Sequence, residues 1–117
     1  MKEINEKMLK QLKAKKKVFS LLSLAQKAGY AGSGEFITEK SVKEGTARLV
    51  IVSSDASDNT KKMFNNMCAY YNVPIYIYGS KEELGHSIGK EFRASVVIRD
   101  EGMAKVVIKQ IELENAM

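Results

Sequence analysis

Two short segments of this chain have residue types suited to contact with a polyanion. In Gly89-Lys-Glu-Phe-Arg93, Lys90 and Arg93 flank Phe92, and an aromatic ring beside cations suits an unstacked base next to its phosphate. The competing role for Phe92 is a ring tucked under the loop into the core, and composition alone leaves the two evenly balanced. In the stretch from Gly32 to Lys40, small residues permit close backbone approach. Gly34 and Glu35 open a helical pattern whose N-terminus attracts phosphate, and Lys40 and Lys43 add cationic reach.

Other chemistry finds little support. The run Gly29-Tyr-Ala-Gly32-Ser-Gly34 leads into a helix, but a Walker-type loop requires Lys where Glu35 stands, and a dinucleotide fingerprint read from Gly32 requires Gly where Ile37 stands. A short strand and a tight turn explain the run better. Cys68 is the one cysteine and His86 the one histidine, and neither has the partner base that nucleophilic catalysis needs. Asp55, Asp58, Asp100 and Glu101 follow strands, but with the spacing of helix caps. The expectation is a non-enzymatic protein with no metal and no cofactor.

Positioning such segments requires a scaffold, and the sequence alternates strand and helix signals. Leu49-Val-Ile-Val52, Ile75-Tyr-Ile-Tyr78 and Ser95-Val-Val-Ile98 are short β-prone runs. Between them lie a helix from Glu35 to Glu44, capped by Ser33 and closed by Gly45, and a second with Phe64, Met67, Cys68 and Tyr71 on one face, stopped at Asn72 before Pro74. A capping box, Ser80 with Glu83, opens a third that ends at Gly89, and Asp100 precedes a last helix with Ala104, Val107, Ile108 and Ile111 on one face. The fold class is therefore α/β, a three-layer α/β/α sandwich with a central mixed four-stranded sheet and helices on both faces.

The 117 residues, 44% hydrophobic and 28% charged, suffice for one domain with its own core. No apolar run approaches the roughly 20 residues that cross a bilayer, and a lone cysteine cannot close an intrachain disulfide, which suits a reducing cytoplasm. The net charge of +5 resides entirely in residues 1–17, where seven lysines face Glu3 and Glu6, leaving twelve basic and twelve acidic residues for the remainder. Ile4, Met8 and Leu12 continue into Val18, Leu21, Leu22, Ala25 and Ala28 with helical spacing, interrupted by the cluster Lys13, Lys15, Lys16 and Lys17. Residues 1–16 are thus expected to form a basic helical extension, and residues 17–117 the domain. The cluster ahead of Val18 has the outline of a secretory signal, but Ser20 and Ser23 interrupt the apolar segment and its apolar residues favour one helical face. Such cationic extensions commonly accompany polyanion binding, the alternative being a purely solubilising tail.

Together these residues carry a resemblance. The run Ala25-Gln-Lys-Ala-Gly29, then Gly34 and Lys40, then Gly45-Thr-Ala-Arg-Leu-Val-Ile-Val52, Asp55-Ala-Ser, Asn59-Thr and Lys62 resembles the small ribosomal proteins of archaea and eukaryotes that bind kink-turn RNA, a family with a bacterial YlxQ-type branch. Leu84-Gly-His-Ser-Ile-Gly-Lys-Glu-Phe-Arg93, Val96-Val-Ile and Asp100-Glu-Gly extend it through the second half, so that it spans residues 17 to 111. It implies a helix start near Gly34 that enters RNA and a loop near Phe92 that completes the contact. It also implies structured ribosomal or transfer RNA, and the ribosome, as partners, with no membrane and no small-molecule substrate. Kink-turn binders carry Gly-x-Asn-Glu-x-x-Lys at this helix start, whereas this chain reads Gly34-Glu-Phe-Ile-Thr-Glu-Lys40. Phe36 and Ile37 thus replace the two polar readers, and their side chains cannot hydrogen-bond to base edges. Two other functions stay open: a protein-interaction module of the same fold that has lost RNA binding, marked by an exposed Phe36 and Ile37 patch, and a small nucleotide-binding enzyme.

Overall fold

The three β-prone runs all form strands. The computed structural model describes residues 5–117, in which helices and strands succeed one another as α1 (Glu6–Lys27), β1 (Ala31–Ser33), α2 (Glu35–Lys43), β2 (Leu49–Val52), α3 (Asp58–Tyr71), β3 (Ile75–Ile77), α4 (Lys81–Ser87), β4 (Ser95–Ile98) and α5 (Glu101–Asn115). The sheet order is β1-β4-β2-β3. β4 runs antiparallel to both neighbours, with Gly32 and Val50 each opposite Val97, while β2 and β3 are parallel.

Every residue of β2 and β4 is buried, as befits strands covered on both faces. Alternate side chains serve opposite layers. Leu49, Ile51, Val96 and Ile98 pack under α1, α4 and α5 against Val18, Leu22, Leu84, Val107 and Ile111. Val50, Val52 and Val97 meet Val42 of α2 and Phe64 and Cys68 of α3. The expected sandwich is thus realised, with three helices on one face and two on the other.

Because β4 opposes the other strands, its start lies at the same end of the sheet as the ends of β1, β2 and β3. That end gathers the first turn of α2, the first turn of α4 and the loop leading into β4.

Local chemistry sets most boundaries. Ser57 Oγ accepts the Thr60 N–H, Asn72 ends α3 in the left-handed region at φ 57°, the Ser80–Glu83 capping box forms, and Asp100 caps α5. Asp55 caps at a distance, its carboxylate accepting the Lys81 N–H at 2.9 Å at the start of α4. One expected cap does not form. Gly34, not Ser33, occupies the N-cap of α2, without a side-chain hydrogen bond to the helix.

α1 is a single helix that passes residues 16 and 17 without a break, opened by Asn5, whose side chain accepts the Met8 N–H. Over its described part the basic extension is therefore continuous with the first helix of the domain; Ile4 lies outside the described residues. Ala14, Val18, Leu22 and Ala25 form the buried face of α1, which packs along α5. Lys15 Nζ meets Glu83 Oε2 at 2.8 Å. Burial would raise the Glu83 carboxyl, but the Lys15 ammonium and the Ser80 N–H outweigh it and hold the group below the usual range.

Candidate nucleic-acid interface

At the end of the sheet where β1 stops and β4 begins, Gly34 turns the chain into α2 with φ 90°, a conformation that side chains with a Cβ rarely adopt. Its N–H donates to the Ser95 carbonyl at 3.0 Å, and its own carbonyl accepts the Thr38 N–H at 3.0 Å. The N–H groups of Glu35, Phe36 and Ile37 therefore point out of the helix end without an intrahelical acceptor.

Ser33 finds a different partner from the one its position suggests. Its Oγ accepts from Arg93 Nε at 3.1 Å, while Arg93 Nη1 donates to the Phe92 carbonyl at 2.8 Å. The loop from Gly89 to Arg93 is fastened to α4 by three backbone bonds, Gly89 N–H to the His86 carbonyl at 3.2 Å, Lys90 N–H to the Gly85 carbonyl at 2.8 Å and Arg93 N–H to the Lys81 carbonyl at 2.9 Å. Gly85 allows this contact, since a Cβ there would lie 2.6 Å from the Glu91 carbonyl oxygen and 2.9 Å from Phe92 Cα. Beneath the surface, Thr38 Oγ1 and Ser95 Oγ pair at 3.1 Å, both residues buried.

The ring of Phe92 faces outward at 54% exposure, which decides against the core role. Phe36 is 74% exposed and Ile37 37%. Ile37 leans on Gly32, where a Cβ would lie 2.7 Å from Ile37 Cγ2. Gly34, Glu35, Lys90, Phe92 and Arg93 thus belong to one continuous surface, joined by the Ser33–Arg93 and Gly34–Ser95 bonds. Lys40 and Lys43 lie further along α2, Lys43 at its last residue and about 12 Å of helix rise from Glu35. Lys40 Nζ is 3.9 Å from Glu44, and Lys43 Nζ is 2.7 Å from Glu39, whose hydrogen bond and charge raise the Lys43 ammonium above its ordinary value.

Four residues that fasten this surface escaped sequence reasoning. Ser33, Thr38, Gly85 and Ser95 act through partners distant in the chain, and the one local pattern among them, the cap position of Ser33, points to a different role. A direct consequence concerns Thr38. Replacing Thr38 by Val strands the buried Ser95 hydroxyl and is expected to cost about 1–3 kcal/mol of stability, most of it regained when Ser95→Ala is added. Urea denaturation of the single and double variants measures this, and an additive double variant would show that the two hydroxyls are not coupled.

Elsewhere the reactive residue types are structurally accounted for. Cys68 is buried, and burial pushes its thiol up to about 11, far from the thiolate a nucleophile requires. Among the described residues no group of three His, Cys, Asp or Glu side chains is placed to hold a metal ion, and no helix is long and apolar enough to cross a membrane.

This fold and this junction define a member of a known class. Residues 16–108 match the Ribosomal protein L7Ae/L30e/S12e/Gadd45 family, and the chain belongs to it. Within the family, the chain is 40% identical over 94 residues to the RNA-binding protein YlxQ of Bacillus subtilis, covering 80% of this chain and 94% of that protein. It is 38% identical over 79 residues to the large ribosomal subunit protein eL30 of Sulfolobus acidocaldarius, covering 64% and 76%. Among solved structures, a Bacillus halodurans protein of unknown function superposes with a TM-score of 0.80 at 36% identity, covering 82% of this chain and 97% of that one. The Giardia lamblia 15.5kD RNA binding protein shares the fold with a TM-score of 0.70 at 23% identity, covering 97% and 92%.

Proposed function

We propose that this protein binds structured RNA as a ribosome-associated protein, through the surface made by the first turn of α2 and the loop from Gly89 to Arg93. The observation that carries the proposal is the junction itself. Three open N–H groups at a glycine-entered helix end and the guanidinium of Arg93 are fixed beside the exposed ring of Phe92. Helix-end N–H groups and cations hold phosphate, and an exposed ring stacks an unpaired base. The YlxQ relatives, named as RNA-binding proteins, align along four-fifths or more of the chain and support the same reading.

With Phe36 and Ile37 in place of polar side chains, the contact proposed is to backbone and to the faces of bases, not to their hydrogen-bonding edges. RNA with unstacked nucleotides in loops or bulges is then preferred over continuous duplex. Titration of a bulged ribosomal RNA hairpin against a fully paired duplex of equal length tests this, and equal affinity would remove the base-stacking part of the proposal. Phe92→Ala should weaken the hairpin complex by about 1–3 kcal/mol while leaving the melting temperature unchanged, because the ring contributes little to the core. A lowered melting temperature with intact affinity would assign the ring to the fold instead.

The exposed Phe36 and Ile37 also favour a second reading, an interaction module whose partner is a protein. Failure of the wild-type chain to bind any structured RNA at low salt would favour that reading over the first.

A further inference from the structure

The lysines of α1 are left unused by the surface just described. Residues 6–27 of this helix contain one acidic residue, Glu6, and among the described residues Lys10, Lys13, Lys16 and Lys17 form no ion pair. On other helices, three lysines are paired. Lys40, Lys43 and Lys105 each meet a glutamate one turn away. Lys10–Lys13, Lys13–Lys16 and Lys13–Lys17 repel at helical spacings, and Lys7, in the first turn of α1, opposes the helix dipole. A sequence that accepts both costs in one helix needs an anion to offset them.

The position of this helix half is also unusual. α1 descends to β1 at the far end of the sheet, and Lys15 is already level with the first turn of α4 through Glu83. Residues 6–14 of α1 therefore extend about 14 Å past the end of the sheet that holds the α2 start and the Phe92 loop, and Lys10 and Lys13 precede the residues matched to the family. Lys10, Lys13 and Lys17 line a groove with Gln110 and Leu113 of α5, on the side of α1 opposite Lys15. Lys16 and Lys7 stand at the margins, so the cations span about half of the helix circumference at 3.6 residues per turn. A docked acidic helix would address only a stripe about 100° wide, whereas a nucleic-acid backbone is neutralised across a broad face.

We infer that the lysine face of α1 is a second RNA-backbone contact, directed away from the first, so that one protein molecule holds two segments of a folded RNA. The inference rests on the RNA reading of the α2 and Phe92 surface and extends it to a second site.

The test uses the full chain, the triple variant Lys10→Gln, Lys13→Gln, Lys17→Gln, and Phe92→Ala, with fragmented ribosomal RNA as the probe. Affinity is measured across a salt series, and ultraviolet crosslinking with peptide mapping identifies the contacts. The expected result is tenfold or greater weakening of the triple variant at low salt and a salt slope shallower by about 2–3. RNA adducts on the peptides carrying Lys10 to Lys17 should be lost, and the melting temperature should be unchanged or raised. Unchanged slope and adducts in the triple variant, with Phe92→Ala still weakened, would overturn the second contact and leave the first standing. Absence of binding by the wild-type chain would overturn both.

Discussion

Gly85→Ala should destabilise the protein by about 1–3 kcal/mol, although glycine to alanine inside a helix ordinarily gains up to about 1 kcal/mol. The sign reverses because of what the new methyl meets. It would lie 2.6 Å from the Glu91 carbonyl oxygen, 2.7 Å from the Glu91 carbonyl carbon and 2.9 Å from Phe92 Cα, all backbone atoms that cannot rotate aside. Relief requires the loop to lift from α4, which breaks the Lys90 and Arg93 backbone bonds and displaces Phe92. Stability and RNA affinity should therefore fall together in urea denaturation and hairpin titration. Gly102→Ala provides the control, because its methyl meets only Asp100 Oδ2 at 3.4 Å in the first turn of α5, so affinity should be unchanged and stability unchanged or raised. A Gly85→Ala protein as stable as Gly102→Ala would mean that the loop does not rest on α4 as described.

Arg93→Glu should cost about 2–3 kcal/mol of RNA binding and make the salt slope shallower by nearly 2, one unit for the cation lost and a comparable amount for the repulsion introduced. The substitution places a carboxylate at the open end of α2, where it competes with phosphate for the helix N–H groups. Arg93→Lys separates charge from geometry. Lysine keeps the cation but has no Nε to donate to Ser33, so its slope should match wild type while affinity falls several-fold through a less fixed loop. If Arg93→Glu binds with the wild-type slope, Arg93 is a structural tie and not a phosphate contact.

The elements that sequence reading found are those specified within a few residues. The runs Leu49–Val52 and Ser95–Ile98 are rich in β-branched residues and buried on both faces, and Ser57, Asn72, Ser80 and Asp100 act on backbone groups no more than four residues away. Misreadings arise where a side chain has a distant alternative. Ser33 looks like a cap for α2, yet Arg93, sixty residues on, takes its hydroxyl. Asp55 looks like a cap for the helix that follows it, and instead serves α4. For the candidate surface, Gly34 and Phe92 could be picked out by residue type. Lys43 could not be separated from them, because its distance from the helix start and its bond to Glu39 depend on the helix being built. Gly85 has no legible signal at all, since the backbone that needs its missing methyl arrives only after the loop folds back.

The strand β4 has a consequence for the order of assembly. It is the last strand to leave the ribosome, yet it is central in the sheet, and among the described residues it is the only strand paired with β1. A nascent chain that has not yet released residues 95–98 has emitted β2 and β3 but has nothing to fasten the turn at Gly34, whose N–H awaits the Ser95 carbonyl. Long-range closure of this kind is slow compared with local structure formation, so the lysine-bearing segment has emerged well before the surface beside Phe92 exists. The surface proposed for RNA is therefore completed only in finished molecules, and an interrupted translation product would present the charge of the protein without that surface.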